Sequence, residues 1–314
     1  MGKLGLVTVL YNSDDVLEDF IKSIHRQGYD DYIIIFIDNS ADDRSFLRIS
    51  ELTKEYPLQY FEYIYNNGNE GVAKGNNQGI VRVLELGCEY ILLLNNDIEF
   101  LKVDIFEDLI TFAEGRNEKV VVPKILFHDT KKIWMAGGAM LNFRVANIHF
   151  GYNDANSNLH NEELYCNYAP TCFMLLHKSI FEEIGLMDES YFVYYDDTDF
   201  SKRLIEAGFR IYYLPKFEIF HKESSSTGGS QSLFSIFYIN RNRIYFYRKH
   251  YKGFFRVLSF FFLLASCIFR FLKYNKQERS CLKRAVNEGL NMPILRQNGF
   301  LVTANSSLFK KDRE

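Results

Sequence analysis

The chain has 314 residues, of which 47% are hydrophobic and 25% are charged, with 19 glycines and 5 prolines. This composition excludes a disordered, collagenous or low-complexity chain, and it suits one large α/β domain with an appendage or two smaller domains. The five cysteines are scattered and form no C-x-x-C pair, so we expect neither a disulfide scaffold nor a zinc finger. A reducing compartment fits this cysteine usage.

The formal net charge of −3 conceals an uneven distribution of charge along the chain. Residues 241–314 hold 16 Lys and Arg against 4 Asp and Glu, whereas residues 1–240 hold 21 against 36. A basic segment of this kind favours an anionic partner, either membrane phosphates or nucleic acid. An ordinary solvated tail is the alternative.

The first residues of the chain lead directly into a strand-like apolar run. They lack the longer apolar segment and the small-residue cleavage site of an export signal. Up to about residue 250, no apolar run approaches the ~20 residues that span a bilayer. The sequence therefore predicts a cytoplasmic protein whose membrane contact, if any, lies in its C-terminal region.

The first hundred residues alternate strand and helix patterns. Short apolar runs predict strands, and apolar residues at helical spacing predict helices between them. Such an alternation predicts βαβ units and a doubly wound α/β sheet. The strands are expected at 4–10, 32–37, 59–65 and 90–94, and the helices at about 16–24, at 43–56 and up to about 87.

A polar cluster directly follows each of these four strands. In a doubly wound sheet, ligands bind at the carboxyl ends of the strands. Four such coincidences are more than loop composition requires, so the sequence predicts a cleft for a polar ligand along this edge. The clusters are Tyr11-Asn12, Asp38-Asn39-Ser40, Asn66-Asn67 and Asn95-Asn96-Asp97.

Residues 120–222 show a less regular pattern, which we interpret as a mixed α+β extension of the same sheet. A run of Ser, Thr and Gly at 224–230 is typical of a flexible loop or lid and marks the predicted boundary. The sequence thus predicts a catalytic domain over 1–230 and a basic, aromatic helical region over 231–314. Within the extension, strands are expected at 120–123, 173–176 and 212–215, and helices at 178–185 and 199–208.

The C-terminal region contains the most apolar segment of the chain, at 254–272. Its uncharged core, 257–269, is bounded by Arg256 and Arg270 and is short for a membrane-spanning helix. The pattern favours an interfacial helix whose arginines reach lipid phosphates, with a helix docked on the globular body as the alternative. Because basic residues flank the apolar run on both sides, we expect peripheral contact with an anionic membrane through 241–284.

Asp97 is the first candidate for chemistry, because it ends the polar cluster after an apolar strand. A carboxylate there, with no nearby cation in the sequence, is placed to bind Mg²⁺ or Mn²⁺. Such an ion takes one or two protein oxygens and keeps its other positions for water and a diphosphate. A helix cap is the structural alternative, and the residue taken alone favours the cap.

Three carboxylates fall within four positions at Asp196, Asp197 and Asp199. Carboxylates this close repel one another unless a cation or a raised pKa relieves them, and one held beside a substrate hydroxyl is a candidate general base. An acidic first turn of a helix is the alternative. A lone histidine such as His221 is usually an ordinary core or surface residue, and it becomes significant only if its strand end lies beside Asp97.

Taken together, these elements resemble the family-2 glycosyltransferases of GT-A fold. The resemblance points to the bacterial branch that makes rhamnose- or galactofuranose-type surface polysaccharides. It covers about residues 4–250, and the ordered set of segments is far more specific than any one of them. The segments are VTVLYNS (7–13), IDNSADDRS (37–45), NNGNEGVAKGNNQGI (66–80), LLLNNDIE (92–99), FEEIGLMDESYFVYYDDTDFSKRLIEAGFRIYYLP (181–215) and IFHKESSSTGG (219–229).

The resemblance implies a nucleotide-binding half at about 1–100 and an acceptor half at about 101–230. Asp38 would hydrogen-bond the pyrimidine base or the ribose, and Lys74 would close over the nucleotide. The residues that would bind the donor are Tyr11, Asn12, Asp38, Lys74, Asn76 and Asn96.

The resemblance also implies a metal site and a catalytic base. Asp97 stands last in what is usually a D-x-D motif and would bind Mg²⁺ or Mn²⁺ on the donor diphosphate, with His221 as a further ligand. Asn95 occupies the first position of the motif, so metal ligation depends mainly on Asp97. Asp197 would be the base and Asp196 its neighbour. The residues that would face the donor sugar or the acceptor are Trp134, Gly137, Gly138 and Tyr195.

The implied activity is that of an inverting glycosyltransferase in cell-surface polysaccharide synthesis. It would move a sugar from dTDP-rhamnose or a UDP-hexose to a saccharide or a polyprenyl-linked saccharide, at the inner face of the cell membrane. A direct displacement needs no nucleophilic Ser or Cys. We expect no nucleic-acid partner, and a homo-oligomer is left open.

Three other classes of protein fit the sequence less well. A nucleotidyltransferase would need a basic, Gly-rich loop after the first strand, and a dinucleotide-binding oxidoreductase would need G-x-G-x-x-G there; residues 11–14 provide neither. A non-catalytic carbohydrate- or nucleotide-binding module gives no reason for Asp97, Asp196, Asp197 and His221. The sequence therefore favours the transferase.

Overall fold

A computed structural model describes residues 3–222 and 232–294 of the chain. Its first hundred residues alternate strands and helices as predicted, and each of the four predicted strands is present to within two residues. The elements are β1 (Leu4–Leu10), α1 (Leu17–His25), β2 (Tyr32–Asp38), α2 (Arg44–Glu55), β3 (Phe61–Tyr65), α3 (Val72–Glu85) and β4 (Tyr90–Leu94).

The middle of the chain contains more elements than its sequence pattern predicts. The helix expected from residue 199 begins earlier, at Asp196, and the apolar runs at 212–215 and 217–220 belong to one strand. Helix α4 and several short strands carry no clear periodic signal. The elements are β5 (Ile98–Glu99), α4 (Ile105–Arg116), β6 (Val120–Phe127), β7 (Ile133–Met135), β8 (Gly138–Leu141), β9 (Ala146–His149), β10 (Leu164–Cys166), β11 (Phe173–His177), α5 (Ser179–Ile184), α6 (Asp196–Glu206) and β12 (Ile211–His221).

One large sheet joins the two halves of this region, in the order β10-β12-β6-β11-β4-β1-β2-β3. Strands β1 to β4 pair in parallel, whereas β11 runs antiparallel to both β4 and β6. The sheet is therefore mixed and doubly wound, which confirms the predicted fold class. The predicted extension at 120–222 continues the first sheet.

Glycines of the segment 66–80 allow α3 to lie directly on β1. A Cβ built on Gly79 would lie 2.3 Å from a methyl carbon of Val7, and one on Gly75 would lie 2.8 Å from a methyl carbon of Val9. Any larger side chain at either position would force the helix away from the sheet. These two glycines of the motif therefore serve helix packing, while its polar residues remain near the strand ends.

Over the described residues 232–294 the chain forms three helices: α7 (Leu233–His250), α8 (Gly253–Lys273) and α9 (Lys276–Asn291). A C-terminal helical extension is therefore present, as predicted. The third helix begins with a capping box formed by Asn275 and Glu278. The expected lid at 224–230 lies outside the described residues. The division into 1–230 and 231–314 accordingly stays a prediction.

Helix α8 lies largely exposed on the surface. It is long and apolar enough to cross a membrane by length and composition, with a mean hydropathy of 1.9. Arg270 donates to the side chain of Asn240 on α7, so this arginine faces the protein and not the solvent side where we expected phosphates. The exposed large apolar residues of the helix are Phe254, Phe255, Val257, Leu258, Phe260, Phe261, Leu264, Ile268, Phe269 and Leu272.

Candidate active site

Strand pairing brings Asp97 and His221 together from positions far apart in the chain. The two-residue strand β5 pairs antiparallel with the end of β12, so that Ile98 lies opposite His221. The backbone N–H of Lys222 donates to the carbonyl of Asp97 at 2.8 Å. As a result, Nε2 of His221 lies 3.3 Å from Oδ1 of Asp97, as the sequence analysis required.

The chemistry of this pair fits a divalent cation. Both side chains are more than nine-tenths buried, and Nδ1 of His221 has no hydrogen-bond partner among the described residues. One carboxylate and one imidazole form an incomplete ligand set, and the described residues contain no group of three or more His, Cys, Asp or Glu that could hold a metal ion. The remaining positions would belong to the donor diphosphate and water, which is the usual arrangement for Mg²⁺.

Asp196 and Asp197 occupy the first turn of α6, directly after a strained turn. Tyr194 and Tyr195 have φ of 64° and 68°, the left-handed region that residues other than glycine seldom adopt. The chain therefore turns sharply before the helix begins. Asp196, Asp197 and Asp199 all lie within the first turn, where the helix dipole favours negative charge.

Asp197 is held at both carboxylate oxygens. Oδ2 accepts a hydrogen bond of 2.7 Å from the hydroxyl of Tyr168. Oδ1 accepts from the backbone N–H of Thr198 at 2.6 Å and from the hydroxyl of Thr198 at 3.1 Å. Asn147, on β9, donates in turn to the Thr198 hydroxyl at 2.5 Å. The carboxylate is consequently fixed in orientation, and Oδ2 keeps a lone pair for a further donor.

The two acids have unusual affinities for protons. Burial, together with the charge of Asp197, raises the pKa of Asp196 to about 8. Burial also raises the pKa of Asp197, while the hydrogen bonds from Tyr168 and Thr198 act against this rise. Burial and the charge of Asp197 hold the pKa of Tyr168 far above its usual value, so its hydroxyl remains a donor. Of the two acids, Asp196 is therefore the one that keeps a proton near neutral pH.

A cavity of about 510 Å³ connects the acidic turn with the strand end that carries His221. Cys172 also lines it, and the charges of both Asp97 and Asp197 contribute to the raised pKa of its thiol, after burial. The acidic turn and the strand end with His221 therefore belong to a single site. Predicted residues on the cavity wall are Asn95, Trp134, Tyr195, Asp196, Asp197 and His221.

Of the residues predicted to face the donor sugar or the acceptor, Trp134 and Tyr195 lie on the wall of this cavity. The ring of Trp134 lies 4.7 Å from that of His221, and the hydroxyl of Tyr195 donates to the carbonyl of Val145 at 2.7 Å. Gly138 does not line the cavity wall; a Cβ there would lie 2.9 Å from the ring of Tyr168, so it allows that ring to approach. Gly137 has a φ of 82°, which favours glycine.

The predicted donor residues lie along the neighbouring strand ends and not on the wall of this cavity. Asp38 is fully buried; its Oδ1 accepts from the N–H of Ser40 at 2.8 Å, and its Oδ2 accepts from the hydroxyl of Tyr63. The N–H of Asn12 donates to the hydroxyl of Ser40 at 2.8 Å, which joins the ends of β1 and β2.

The other four predicted donor residues differ in exposure. Tyr11 is exposed, and the partly exposed side chain of Lys74 pairs with Glu70, which lies just before the helix of Lys74. Asn76 is buried on α3, and Asn96 is buried with no hydrogen-bond partner for its Nδ2 among the described residues. The donor assignments therefore stay predictions, with Asn96 the one that presents an unused donor group.

Several cavity residues were not predicted from the sequence. Tyr168 and Asn147 hold the acidic turn, and His149 packs between them and Trp134, with burial lowering the pKa of its imidazole to about 4. These residues lie in short irregular segments, and no spacing distinguishes Tyr168 from the other tyrosines. A larger cavity of about 560 Å³ elsewhere is lined by none of the predicted residues.

The mixed sheet, with acidic residues at its strand ends and a second acidic turn facing them, defines a transferase of GT-A fold. The chain belongs to glycosyl transferase family 2, whose family model matches residues 6–185. The matched region holds the three βα units, β4 and the Asp97 segment, whereas α6 and His221 lie beyond it.

Several relatives of the chain are glycosyltransferases by name. A hexosyltransferase of low-salt glycan biosynthesis from Haloferax volcanii is 27% identical over 247 residues, covering 77% of this chain and 75% of the relative. Rhamnosyltransferase WbbL of Escherichia coli is 29% identical, covering 63% of this chain and 81% of the relative. An O-antigen biosynthesis protein of Myxococcus xanthus and TarS of S. aureus are longer proteins, of which this chain spans 18% and 44%.

Solved structures show the same fold at low identity. A mannosyltransferase from Pyrobaculum calidifontis, in complex with GDP-Man and Mn²⁺, has a TM-score of 0.57 and 11% identity, covering 92% of this chain and 86% of that one. At this identity the likeness concerns the fold alone. The chain is therefore a family-2 glycosyltransferase related to enzymes of glycan and polysaccharide biosynthesis.

Proposed function

We propose that the chain transfers a sugar from a nucleotide-diphosphate donor to a hydroxyl of a saccharide or lipid-linked saccharide, with inversion at the anomeric carbon. The observation that carries this proposal is the pair Asp196 and Asp197 on the wall of a cavity shared with His221. Its volume of about 510 Å³ suits a sugar and part of its acceptor.

Asp197 is the proposed general base. It is held in one orientation by Tyr168 and Thr198, and it borders the cavity. The acceptor hydroxyl gives its proton to Asp197 while its oxygen forms a bond to the anomeric carbon, and the bond to the nucleoside diphosphate breaks with its electron pair. Asp196, which carries a proton at neutral pH, avoids a second negative charge beside the base.

Asp97 and His221 are the residues that would hold a divalent cation, Mg²⁺ or Mn²⁺. When bound, such an ion supplies charge neutralisation on the departing diphosphate. The short separation of the two side chains, their burial and the unpartnered Nδ1 of His221 support this assignment. A fold neighbour solved with Mn²⁺ supports it further.

The proposed donor is dTDP-rhamnose or a UDP-hexose. The names of two relatives, a hexosyltransferase and a rhamnosyltransferase, support these sugars. Donor binding falls to the strand ends of β1 and β2, where Asp38 and Asn12 are connected through Ser40. The aromatic wall formed by Trp134 and His149 is suited to pack against a sugar ring.

The proposed acceptor is presented at the cytoplasmic face of a membrane, with α8 as the contact. The exposed face of α8 is apolar over about five turns, and the helix contains no acidic residue. Lys252 precedes it, and Lys273 and Lys276 follow its apolar part. An apolar face with cations at both ends matches the interface of an anionic bilayer.

A donor screen tests the transferase directly. Purified protein is incubated with dTDP-rhamnose, UDP-glucose, UDP-galactose, UDP-galactofuranose and UDP-N-acetylglucosamine, each with Mn²⁺, with Mg²⁺ and with EDTA, and release of the nucleoside diphosphate is measured. We expect release from one of these donors that depends on the cation and increases with a saccharide acceptor. No release from any donor by folded protein would contradict the proposal.

A further inference from the structure

The turn that delivers Asp196 and Asp197 to the cavity is held in an unfavourable backbone conformation. Tyr194 and Tyr195 are consecutive residues with φ of 64° and 68°. For residues with a Cβ, the left-handed region is disfavoured, because the Cβ approaches the following carbonyl oxygen. Two such residues in succession persist only where the surroundings determine the backbone. Some contact outside the turn must therefore stabilise it.

Asn242 of α7 provides that contact. Its side chain is fully buried, and its Nδ2 donates to the carbonyls of Val193 and Tyr194, both at 2.8 Å. One amide group thus uses both of its N–H bonds on two successive carbonyls of the turn. These carbonyls point toward α7 only when the backbone has the observed conformation.

The orientation of this amide is itself determined. Oδ1 of Asn242 accepts a hydrogen bond of 2.8 Å from Nε of Arg241, so the N–H₂ group has to face the turn. Arg241 is fixed in turn, because it donates to the carbonyl of Ser190 at 2.9 Å and pairs with Glu288 of α9 at 3.1 Å. The amide is therefore anchored in the helical C-terminal region, outside the sheet.

We propose that Asn242 is a positioning residue for the transfer reaction: its two hydrogen bonds hold the Tyr194–Tyr195 turn and thereby place Asp196 and Asp197 against the cavity. The proposal rests on the function proposed above. It gives the C-terminal region a part in catalysis, because a residue of α7 sets the position of groups that touch the acceptor.

Helix α7 is also held to the rest of the protein by residues other than Asn242. The proposed role of Asn242 is therefore distinct from a contribution to the stability of the helix. Arg243 donates to the carbonyls of Val145 and Arg144, and Lys249 pairs with Asp188 at 2.6 Å and Asp199 at 2.7 Å. Loss of the Asn242 amide therefore leaves the helix docked. What it removes is the pair of donors to the backbone of the turn.

The test compares Asn242→Ala and Asn242→Asp with the control Asn240→Ala. Asn240 is a buried amide on the same helix, and its partners are Ile236 and Arg270, not the turn. We expect the two Asn242 variants to lose roughly 10- to 100-fold in kcat, the scale of a displacement of about 1 Å, with the KM for the donor within about twofold of wild type. We expect Asn240→Ala to keep kcat within about threefold.

Two further measurements test the proposal independently of the kcat values of the single variants. In a Tyr194→Gly background, where glycine adopts positive φ without penalty, Asn242→Ala should cost less activity than in wild type. Amide hydrogen exchange over residues 194–199 should accelerate in Asn242→Ala and not in Asn240→Ala. Equal losses of kcat in the two alanine variants, an unchanged penalty in the glycine background or equal exchange would overturn the proposal.

The exchange comparison needs no substrate, so the two proposals can fail separately. If the wild type transfers no sugar, the proposed function fails while the exchange data still decide whether Asn242 holds the turn. If the wild type is active and Asn242→Ala matches the control in kcat and in exchange, the positioning role fails and the transferase stands.

Discussion

The hydroxyl of Tyr168 donates a hydrogen bond of 2.7 Å to Oδ2 of Asp197, across 29 residues of sequence. The tyrosine comes from the connection between β10 and β11, and the aspartate from the first turn of α6. This bond stabilises the charged form of a carboxyl group whose pKa is raised by burial. It links the geometry of the candidate base to its state of ionisation.

Removal of this bond should shift the pH dependence of transfer. In Tyr168→Phe, Asp197 loses a hydrogen bond that lowers its pKa, so the acid limb of the kcat profile should move to higher pH, with a loss of roughly tenfold at neutral pH. The measurement is kcat between pH 5 and pH 9. Tyr165→Phe is the control, because the Tyr165 hydroxyl contacts Glu118, remote from the acids. An acid limb that coincides with that of Tyr165→Phe would refute the link.

Stability at alkaline pH should depend on Asp196. Its pKa is raised to about 8 from an ordinary value of 3.8, so its contribution to stability is fully present below the unfolded pKa and is lost as the pH rises through 8. Asp196→Asn lacks this loss. The difference in free energy of unfolding between the variant and wild type should therefore change by about 1–3 kcal/mol from pH 6 to pH 9. The change is a gain for the variant.

Chemical denaturation at the two pH values measures this gain. Asp129→Asn, at a carboxyl group that is 92% exposed, is the matched control and should show no such pH-dependent difference. If Asp196→Asn behaves like the control, Asp196 does not carry the buried proton.

The charge cluster behind the active turn should govern acid stability. Burial acts to raise the pKa of Asp199, but the hydrogen bond from His250 and the charges of Lys249 and Arg203 hold it well below its usual value. Its contribution is therefore present above the unfolded pKa and is lost as the pH falls. Because Asp199→Asn leaves buried cations without their partner, we expect a loss of roughly 3 kcal/mol at pH 7 and a flatter acid limb.

Urea unfolding between pH 7 and about pH 2 measures both effects, because the contribution of Asp199 is lost only below its ordinary pKa of 3.8. The control is Asp154→Asn, whose side chain is 62% exposed and which pairs with His160 at the surface. A difference between the two variants of less than about 0.5 kcal/mol at pH 7 would show that the buried cluster contributes little net stability.

Binding to lipid should depend on the exposed face of α8. Phe261 and Ile268 are 62% and 53% exposed on this face, so their replacement by glutamate should abolish co-sedimentation with vesicles that contain anionic phospholipid. Release of the nucleoside diphosphate in solution should be unchanged, since α8 lies outside the cavity wall. Leu159→Glu, at a leucine that is 86% exposed elsewhere, should bind vesicles like wild type. Equal vesicle binding by the double variant and the control would exclude α8 as the contact.

The sequence predicted those parts of the fold and site whose signal is local. The strands β1, β2 and β4 are continuous buried apolar runs, and the polar residues after them needed no further information. The meeting of Asp97 with His221 was a conditional expectation, because it depends on β5, a strand of two residues with no periodicity of its own.

Sequence patterns could not predict which residues hold the acidic turn in place. Tyr168 and Asn147 act from short irregular segments, and Asn242 acts across 48 residues from Tyr194. Arg270 was expected to face lipid phosphates because it borders an apolar run, yet its position on the helix turns it toward Asn240. The order of charged and apolar residues in a sequence does not show which face of a helix packs against the rest of the protein.

The central claim is that Asp197 removes the proton from the acceptor hydroxyl, and the most direct measurement is sugar transfer by Asp197→Asn. The amide keeps the shape of the side chain and loses the ability to take a proton. With the donor found in the screen, we predict a fall in kcat of about 100-fold or more, with nucleotide binding retained. Turnover by Asp197→Asn close to that of wild type would contradict this account of the site.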